Sequence, residues 1–429
     1  MAAPGYPPTL GGVEQVVAHA AQALARAGHD VEVFAQQRAH APRTPSAPVT
    51  ADATTADVAT APNDLAESGA EPNSSRDAAP EHVGSTRAEA GRERAAEPPA
   101  IRPGRVLVHR FATYGPHDYP VSPGLWQALA ARAEEFDIVH GHSYHTLTGL
   151  AAALGSRSRA PFVFSPHYHG TGHSPLRAAL HRVYWPVGSY IFHQADAIVC
   201  VSAAEAQVVA QHFPAVADRC RVVPNGVDRA AIRAAPPFPG SRPTILSVGR
   251  IERYKRVDRL IEAFAQLAYP DVRLVVIGAG PDRERLVEYA RALGLLEPGG
   301  PRVVRFPGRV SQEVLHRWLR TARVLCSLSE HEAFGLAPAE ALAAGATVVL
   351  SDIPAHRELA SCGPVELVRA SEPAAALAAR LDRHLHQPAP SADAAKVADW
   401  DEVAGRLIEV YDSVASAHPR VPRRSGARR

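Results

Sequence analysis

Two apolar, strand-like runs, residues 322–328 and 346–350, bracket a loop over 329–336 and a helix expected to open at Pro338. Proline is favoured just inside a helix start, because its missing N–H would be unpaired there anyway. Glu332 falls in the loop and Glu340 on the first helical turn, with seven residues between them. The unpaired N–H groups around Phe334, Gly335 and Leu336 make such a terminus an anion site, above all for phosphate. Two carboxylates beside a phosphate cradle repel the phosphates unless they face something else, such as sugar and ribose hydroxyls. Taken alone, the stretch also fits a Glu340 that complements the helix dipole and a solvated Glu332.

The chain is 429 residues long, enough for two domains with a core each. A formal net charge of +2 gives no reason to expect a nucleic-acid partner. Cys200, Cys220, Cys326 and Cys362 form no C-x-x-C pair, which fits a reducing compartment. No basic-then-apolar leader and no uncharged run of bilayer length is visible. A cytoplasmic enzyme is the expectation, with peripheral contact at the inner membrane face left open.

In the N-terminal half, residues 6–12 (Y-P-P-T-L-G-G) read as a loop and 13–27 as a helix with Val16, Val17, Ala20 and Leu24 on one face. Gly28 stops that helix, and 31–35 is a strand. The glycine pair before the helix would admit a ligand to the backbone, and a tight turn explains it equally well. A doubly wound sheet needs a first, central strand before Tyr6, where only residues 1–5 remain. The expected start of the chain therefore lies a few residues upstream of Met1. Residues 40–103 are rich in Ala, Pro, Thr, Ser and Glu, with few large apolar side chains, and are expected to be a disordered insert.

Strands are expected at 106–111, 136–140 and 161–165, the last two followed by His140, His142 and His145 and by His167, His169 and His173. Imidazole suits several transition metals, but no carboxylate lies nearby in sequence to complete a ligand set, and no metal is expected. Residues 174–196, interrupted by Pro186, read as a helix pair lining a cleft. Their Arg177, Arg182 and aromatic side chains leave contact with a membrane surface as the other reading. A strand at 197–202 and a strand and turn at 221–228 follow, and the Pro-rich run 236–243 reads as the connection between domains.

The C-terminal half opens with a strand at 244–249. Basic residues here are almost all Arg, with Lys only at Lys255 and Lys396. Arg250 at the strand end and Lys255 near the next helix could converge on a diphosphate; two more solvated charges beside Arg253 and Arg256 is the plainer alternative. Residues 272–280, V-R-L-V-V-I-G-A-G, lack the third glycine and the acidic partner of a dinucleotide fingerprint, which argues against a nucleotide-dependent oxidoreductase. A further strand is expected at 303–310. The D-x-D at Asp399-Trp400-Asp401 opens a last helix over 402–413, where an Asp N-cap is the ordinary explanation in place of a metal-held diphosphate. From 419 a basic, disordered tail is expected.

The run E-x-F-G-x-x-x-x-E from Glu332 to Glu340, ending in Ala344-Gly345, resembles the E-x7-E signature of the retaining glycosyltransferases of family 4. The opening G-G-x-E and R-A-G-H-D-V, then V-F-S-P-H at 163–167 and R-V-V-P-N-G-V-D at 221–228, match the same family. So do V-G-R with Lys255 and Asp258, I-G-x-G-P, and the G-R-V turn at 308–310. The resemblance implies an α/β fold of two Rossmann-like domains facing across a cleft, the GT-B arrangement. Residues 1–235 would form the acceptor-side domain and 236–398 the nucleotide-sugar domain. Residues 399–416 would form a helix crossing back to the first domain, and 417–429 a tail.

The implied reaction moves a sugar from a nucleoside-diphosphate donor to a hydroxyl acceptor with the anomeric configuration kept, with no metal and no cofactor besides the nucleotide sugar. Glu332 would touch the donor sugar, and His167 would hydrogen-bond a sugar hydroxyl and orient the anomeric carbon. Arg250, Lys255 and the amides of Phe334, Gly335 and Leu336 would hold the diphosphate. Gly12 would contact the diphosphate or the acceptor, Glu340 the ribose, and the backbone at Val310 the base. No residue offers an obvious nucleophile, so front-face attack by the acceptor is expected. A catalytically silent partner subunit would have lost a charged site residue, yet Arg250, Lys255, Glu332 and Glu340 are all present. The donor's base and sugar, and whether the acceptor is a glycan, lipid or small molecule, stay open.

Overall fold

The structure, a computed structural model, describes residues 1–7, 11–38, 103–115, 120–170, 175–240, 242–269, 271–297, 299–388 and 390–418, with 175–182 as backbone alone. Residues 40–102 of the insert, His173 and the tail from 419 lie outside the described residues, as do the side chains of Arg177 and Arg182.

Thirteen described strands form two sheets. In the first, β1 (Ala2–Ala3), β2 (Val31–Arg38), β3 (Val106–Thr113), β4 (Val139–His142), β5 (Phe162–Ser165), β6 (Ala197–Cys200) and β7 (Cys220–Val222) run in the order 3-2-1-4-5-6-7. In the second, β8 (Thr244–Val248), β9 (Val272–Ile277), β10 (Arg302–Gly308), β11 (Val324–Ser327), β12 (Thr347–Ser351) and β13 (Val365–Val368) run 10-9-8-11-12-13. All pairings within these sheets are parallel. The strands are short continuous apolar runs, such as Phe162–Ser165 and Val348–Leu350, because helices cover both faces. Both orders reverse beside their first strand, at β1/β4 and β8/β11, and ligands of doubly wound sheets sit outside the strand carboxyl ends at that reversal. Two α/β domains of this kind are the architecture expected from the resemblance.

The central first strand is present, as two residues only: Ala2 pairs with Phe34 on one side and Gly141 on the other. The strand expected at 136–140 is shifted to Val139–His142. Pairing decides this, since β5 offers partners only from Val139↔Phe162 to His142↔Ser165. Phe136 instead turns its ring edge-on to Phe34, with centroids 5.8 Å apart. Pro186 does not interrupt its segment, which is one helix from Pro175 to Gln194. An internal proline costs about 3 kcal/mol. Burial of Ile191 and Phe192 and the stacking of Trp185 on Phe213 (4.6 Å) outweigh it.

The last helix, Trp400–Ala417, belongs to the first domain's core. Its Trp400, Val403, Leu407, Val410 and Val414 pack with Val16, Val17, Ala20 and Leu24 of the Gly12–Arg26 helix. Asp399 is the N-cap, its Oδ1 accepting from the N–H groups of Asp401 (3.1 Å) and Glu402 (3.0 Å). The D-x-D is thus a helix cap, as its position in the sequence indicates. Arg229 holds the other Asp399 oxygen at 3.2 Å and Glu402 at 2.9 Å, fixing where the chain returns. Among the described residues no helix is long and apolar enough to cross a membrane.

Candidate active site

At the reversal of the second sheet, β8 ends at Val248 and the chain turns at Gly249. Gly249 N–H donates to Ile277 O at 3.0 Å and Gly278 N–H to Gly308 O at 2.8 Å, so three strand ends form one wall. Arg250 stands at its rim, two-thirds exposed (66%) and ion-paired to Glu252. A short turn, Arg253–Lys255, is closed by Arg256 in a left-handed conformation (φ 52°), which non-glycine residues seldom adopt. Tyr254 O accepts from Glu330 N–H at 2.9 Å, fastening the turn to the loop that carries Glu332.

Lys255 Nζ donates to Glu332 Oε1, and the two side chains are only 17% and 19% exposed, so solvent screens the pair weakly. Burial lowers the Lys255 pKa, but the Glu332 carboxylate more than reverses this, and the net direction is upward. Burial likewise raises the Glu332 pKa, and Lys255, with smaller help from His356 and Ser329, brings it below the usual range. Both groups are charged at neutral pH.

The following helix is Leu336–Ala344, two residues earlier than expected, with Gly335 (φ 103°) as its cap and no side chain in the capping role. Pro338 is therefore its third residue, still among the first four whose N–H groups lack intrahelical partners. Glu340 accordingly sits in the second turn, too far in to complement the dipole. It is buried, and burial pushes its carboxyl up to about 7, with a hydrogen bond to Gln312 pulling the other way.

That shift has a sign that can be tested. Between the ordinary 4.5 and about 7, the folded chain holds a proton that the unfolded chain has lost. Stability should therefore fall as pH rises through this window and level off above it. Glu340→Gln removes the slope. Its stability relative to wild type should rise by about 2–3 kcal/mol between pH 5 and pH 8 in donor-free protein. A pH-independent offset in urea unfolding would show that Glu340 titrates normally.

These groups share one cavity of about 350 Å³. Arg250, Lys255, Glu332, Gly335, Leu336, Ala337 and Glu340 line it, with Arg309 and Val310 from the turn after β10. The opposite wall comes from the first domain: Gly12, Gln15 and His19, one face of the Gly12–Arg26 helix, with Asp228 and Trp400. His19 stacks on Trp400 at 5.2 Å and 7°. Neither Gly11 (φ −167°) nor Gly12 has positive φ, so a turn does not explain the pair. A Cβ at Gly12 would meet nothing within 4 Å, which leaves open space at the helix start. Glu14 on the same turn is raised by burial while Arg250 and Arg309 act to lower it.

Two expected site residues are not in the lining. Phe334, partly buried, packs against the second domain's core. His167 lies beyond the end of β5, its Nε2 at 3.4 Å from His142 Nδ1, with burial lowering its pKa to about 4. His140 is held by the hydroxyls of Tyr411 (2.7 Å) and Ser165 (2.9 Å), and its ring stacks on His142 at 4.2 Å. Three of the six histidines thus form a stack along the strand ends. Among the described residues no three His, Cys, Asp or Glu side chains are grouped to hold a metal ion.

Sequence reading gave no role to Gln15, His19, Asp228, Arg309, Gln312 or Trp400. The 12–15–19 spacing on one helical face was the available signal for two of them. For Trp400 the implied crossing of residues 399–416 back to the first domain was the available signal, though it did not single out the indole.

A cavity lined by cations, a helix N-terminus and carboxylates can hold a doubly anionic group and polyhydroxylated neighbours. Comparison with known proteins agrees. The profile of glycosyl transferases group 1 matches residues 228–399, and that of Glycosyltransferase Family 4 matches 79–231. A D-inositol 3-phosphate glycosyltransferase of Xylanimonas cellulosilytica is 31% identical over 366 residues, 76% of this chain and 86% of that protein. A glycogen synthase of Mycobacterium tuberculosis is 30% identical over 288 residues, 64% of this chain and 68% of that one. Among solved structures, sucrose-phosphate synthase from Thermosynechococcus elongatus superposes with a TM-score of 0.63 at 19% identity, covering 97% of this chain and 96% of its own. By sequence and fold together, the chain belongs to the family 4 glycosyltransferases and has the GT-B fold of that family.

Proposed function

We propose that this glycosyltransferase moves a sugar from a nucleoside-diphosphate donor to a hydroxyl acceptor with retention, and needs no metal to do so. The carrying observation is that Lys255, Arg250 and Arg309 share one cavity with the Gly335–Ala337 helix start and with Glu332 and Glu340. Negative charge builds on the leaving diphosphate as the glycosidic bond breaks. Three side-chain cations and a helix N-terminus would meet that charge, the role a divalent ion plays elsewhere.

Glu332 would then have two partners, the Lys255 ammonium and a donor-sugar hydroxyl, and Glu340 would accept from the ribose. His167, largely neutral at pH 7 and carried by the first domain, would reach the sugar from the acceptor side when the domains close. Asp228, the carboxylate on that wall among the lining residues, caps the following helix by accepting from Ala231 N–H at 2.9 Å, and direct front-face attack by the acceptor is the course proposed here.

A thermal-shift panel of UDP, GDP and ADP and their glucose and mannose derivatives, with and without EDTA, tests the reading. UDP-glucose is the first probe, because Anabaena HepE, 18% identical with a TM-score of 0.55 and covering 74% of this chain and 86% of that one, was solved in complex with it. One base should stabilise the protein by about 2.7 kcal/mol at a hundredfold excess over its Kd, unchanged by EDTA. Absence of any nucleotide-dependent shift would remove the basis for the assignment.

A further inference from the structure

The helix Ala203–His212 begins at the domain gap, and its free N–H groups are already occupied. Ala203 and Ala204 donate to the two oxygens of Glu358 in the second domain (2.8 and 2.5 Å), and Glu205 N–H donates to Ser202 Oγ (2.9 Å). The Ser202 hydroxyl then gives its one proton across the gap, to Ala333 O at 2.6 Å. Ala333 lies next to Glu332.

Behind this contact stands the Glu205 carboxyl group, 2% exposed. One oxygen accepts from Val201 N–H at 2.6 Å and the other from Tyr168 N–H. Tyr168 follows His167, whose φ of 49° is held only where surroundings impose it on a non-glycine residue. A continuous path thus joins the carbonyl of Ala333, the residue after Glu332, through Ser202 and Glu205, to the peptide after His167.

Resting on the reading above, in which Glu332 and His167 address one sugar, we propose that Ser202 and Glu205 are positioning residues that set those two groups in register across the cleft. Neither is among the residues that line the cavity. Capping a helix requires only the accepting lone pair of Ser202. The bond it donates to the other domain is additional to capping. Glu205 is likewise not a cap; a buried carboxyl group with both oxygens on backbone N–H groups fixes two segments against each other. A change in domain spacing at Ala333 would reach His167 through these four bonds.

Ser202→Ala, Ser202→Thr and Glu205→Gln in the full chain test this. Two readouts apply: amide hydrogen exchange over residues 165–170 and 330–336, and hydrolysis of the nucleotide sugar that gives the largest thermal shift. Ser202→Ala should speed exchange in 165–170, a segment it does not touch, by about tenfold. It should also lower kcat about tenfold at nearly constant KM for the donor, as expected for misplacement of catalytic groups. Ser202→Thr, which keeps the hydroxyl, should restore both, and Glu205→Gln should expose the Tyr168 amide most. Unmoved exchange in 165–170, a loss carried by KM, or a loss that Thr does not restore would overturn the bridge while wild-type turnover stands. A wild-type protein that hydrolyses no nucleotide sugar would instead overturn the active-site reading beneath it.

Discussion

Lys255→Ala is expected to cut donor turnover by about 10²–10³-fold, the loss seen when one oriented group that stabilises transition-state charge is removed. The argument starts from how the lysine is held. Its ammonium is 17% exposed, ion-paired to Glu332, and lies 5.2 Å from the Tyr254 ring centroid, so it arrives at the reaction largely desolvated. Removing it also strands Glu332 in a site that burial alone would push toward protonation. Breaking a fully buried pair costs about 3–5 kcal/mol, and the partial exposure here places the stability loss at the lower end or below. Urea unfolding separates that loss from the kinetic one. Lys255→Arg, which keeps the charge, should recover part of the turnover. Turnover of Lys255→Ala within about threefold of wild type would take Lys255 out of the mechanism.

The second large effect is expected at a residue with no functional group. Gly278 has φ 141°, and a Cβ built there stands 1.8 Å from the carbonyl oxygen of Gly249, backbone against backbone. Neither partner can rotate away, because Gly249 N–H and Gly278 N–H are both spent on neighbouring strands. Gly278→Ala must therefore part the ends of β8 and β9, at a cost of about 3–4 kcal/mol from overpacking and backbone strain together. The wall that carries Arg250 moves with them, so the nucleotide-dependent thermal shift should shrink as well. A variant within about 1 kcal/mol of wild type in urea unfolding would show that the strand ends yield more easily than this geometry allows.

The sequence was least informative where contacts with distant segments decide local structure. Pro186 is the usual sign of a helix break, yet Phe213 and the core around Ile191 carry the helix through it. The strand near 139 starts where β5 can pair with it, not where apolar residues begin. Conversely, Arg250, Lys255, Glu332, Gly335, Leu336 and Glu340 were all legible, and all line one cavity. They lie within a few residues of strand ends and a helix start, and it was the resemblance to family 4, added to helix-terminus chemistry, that singled them out.

By itself, then, the sequence determined two parallel sheets, the helix start beside Glu332, and which charged groups gather at the second reversal. Only the tertiary structure decided that Gln15, His19 and Trp400 close the cavity from the other domain, that Phe334 turns into the core, and that Ser202 reaches Ala333. Those contacts join residues more than a hundred positions apart or depend on which side of a packed core a ring falls. No local pattern encodes them, because they are set by how two independently folded sheets meet.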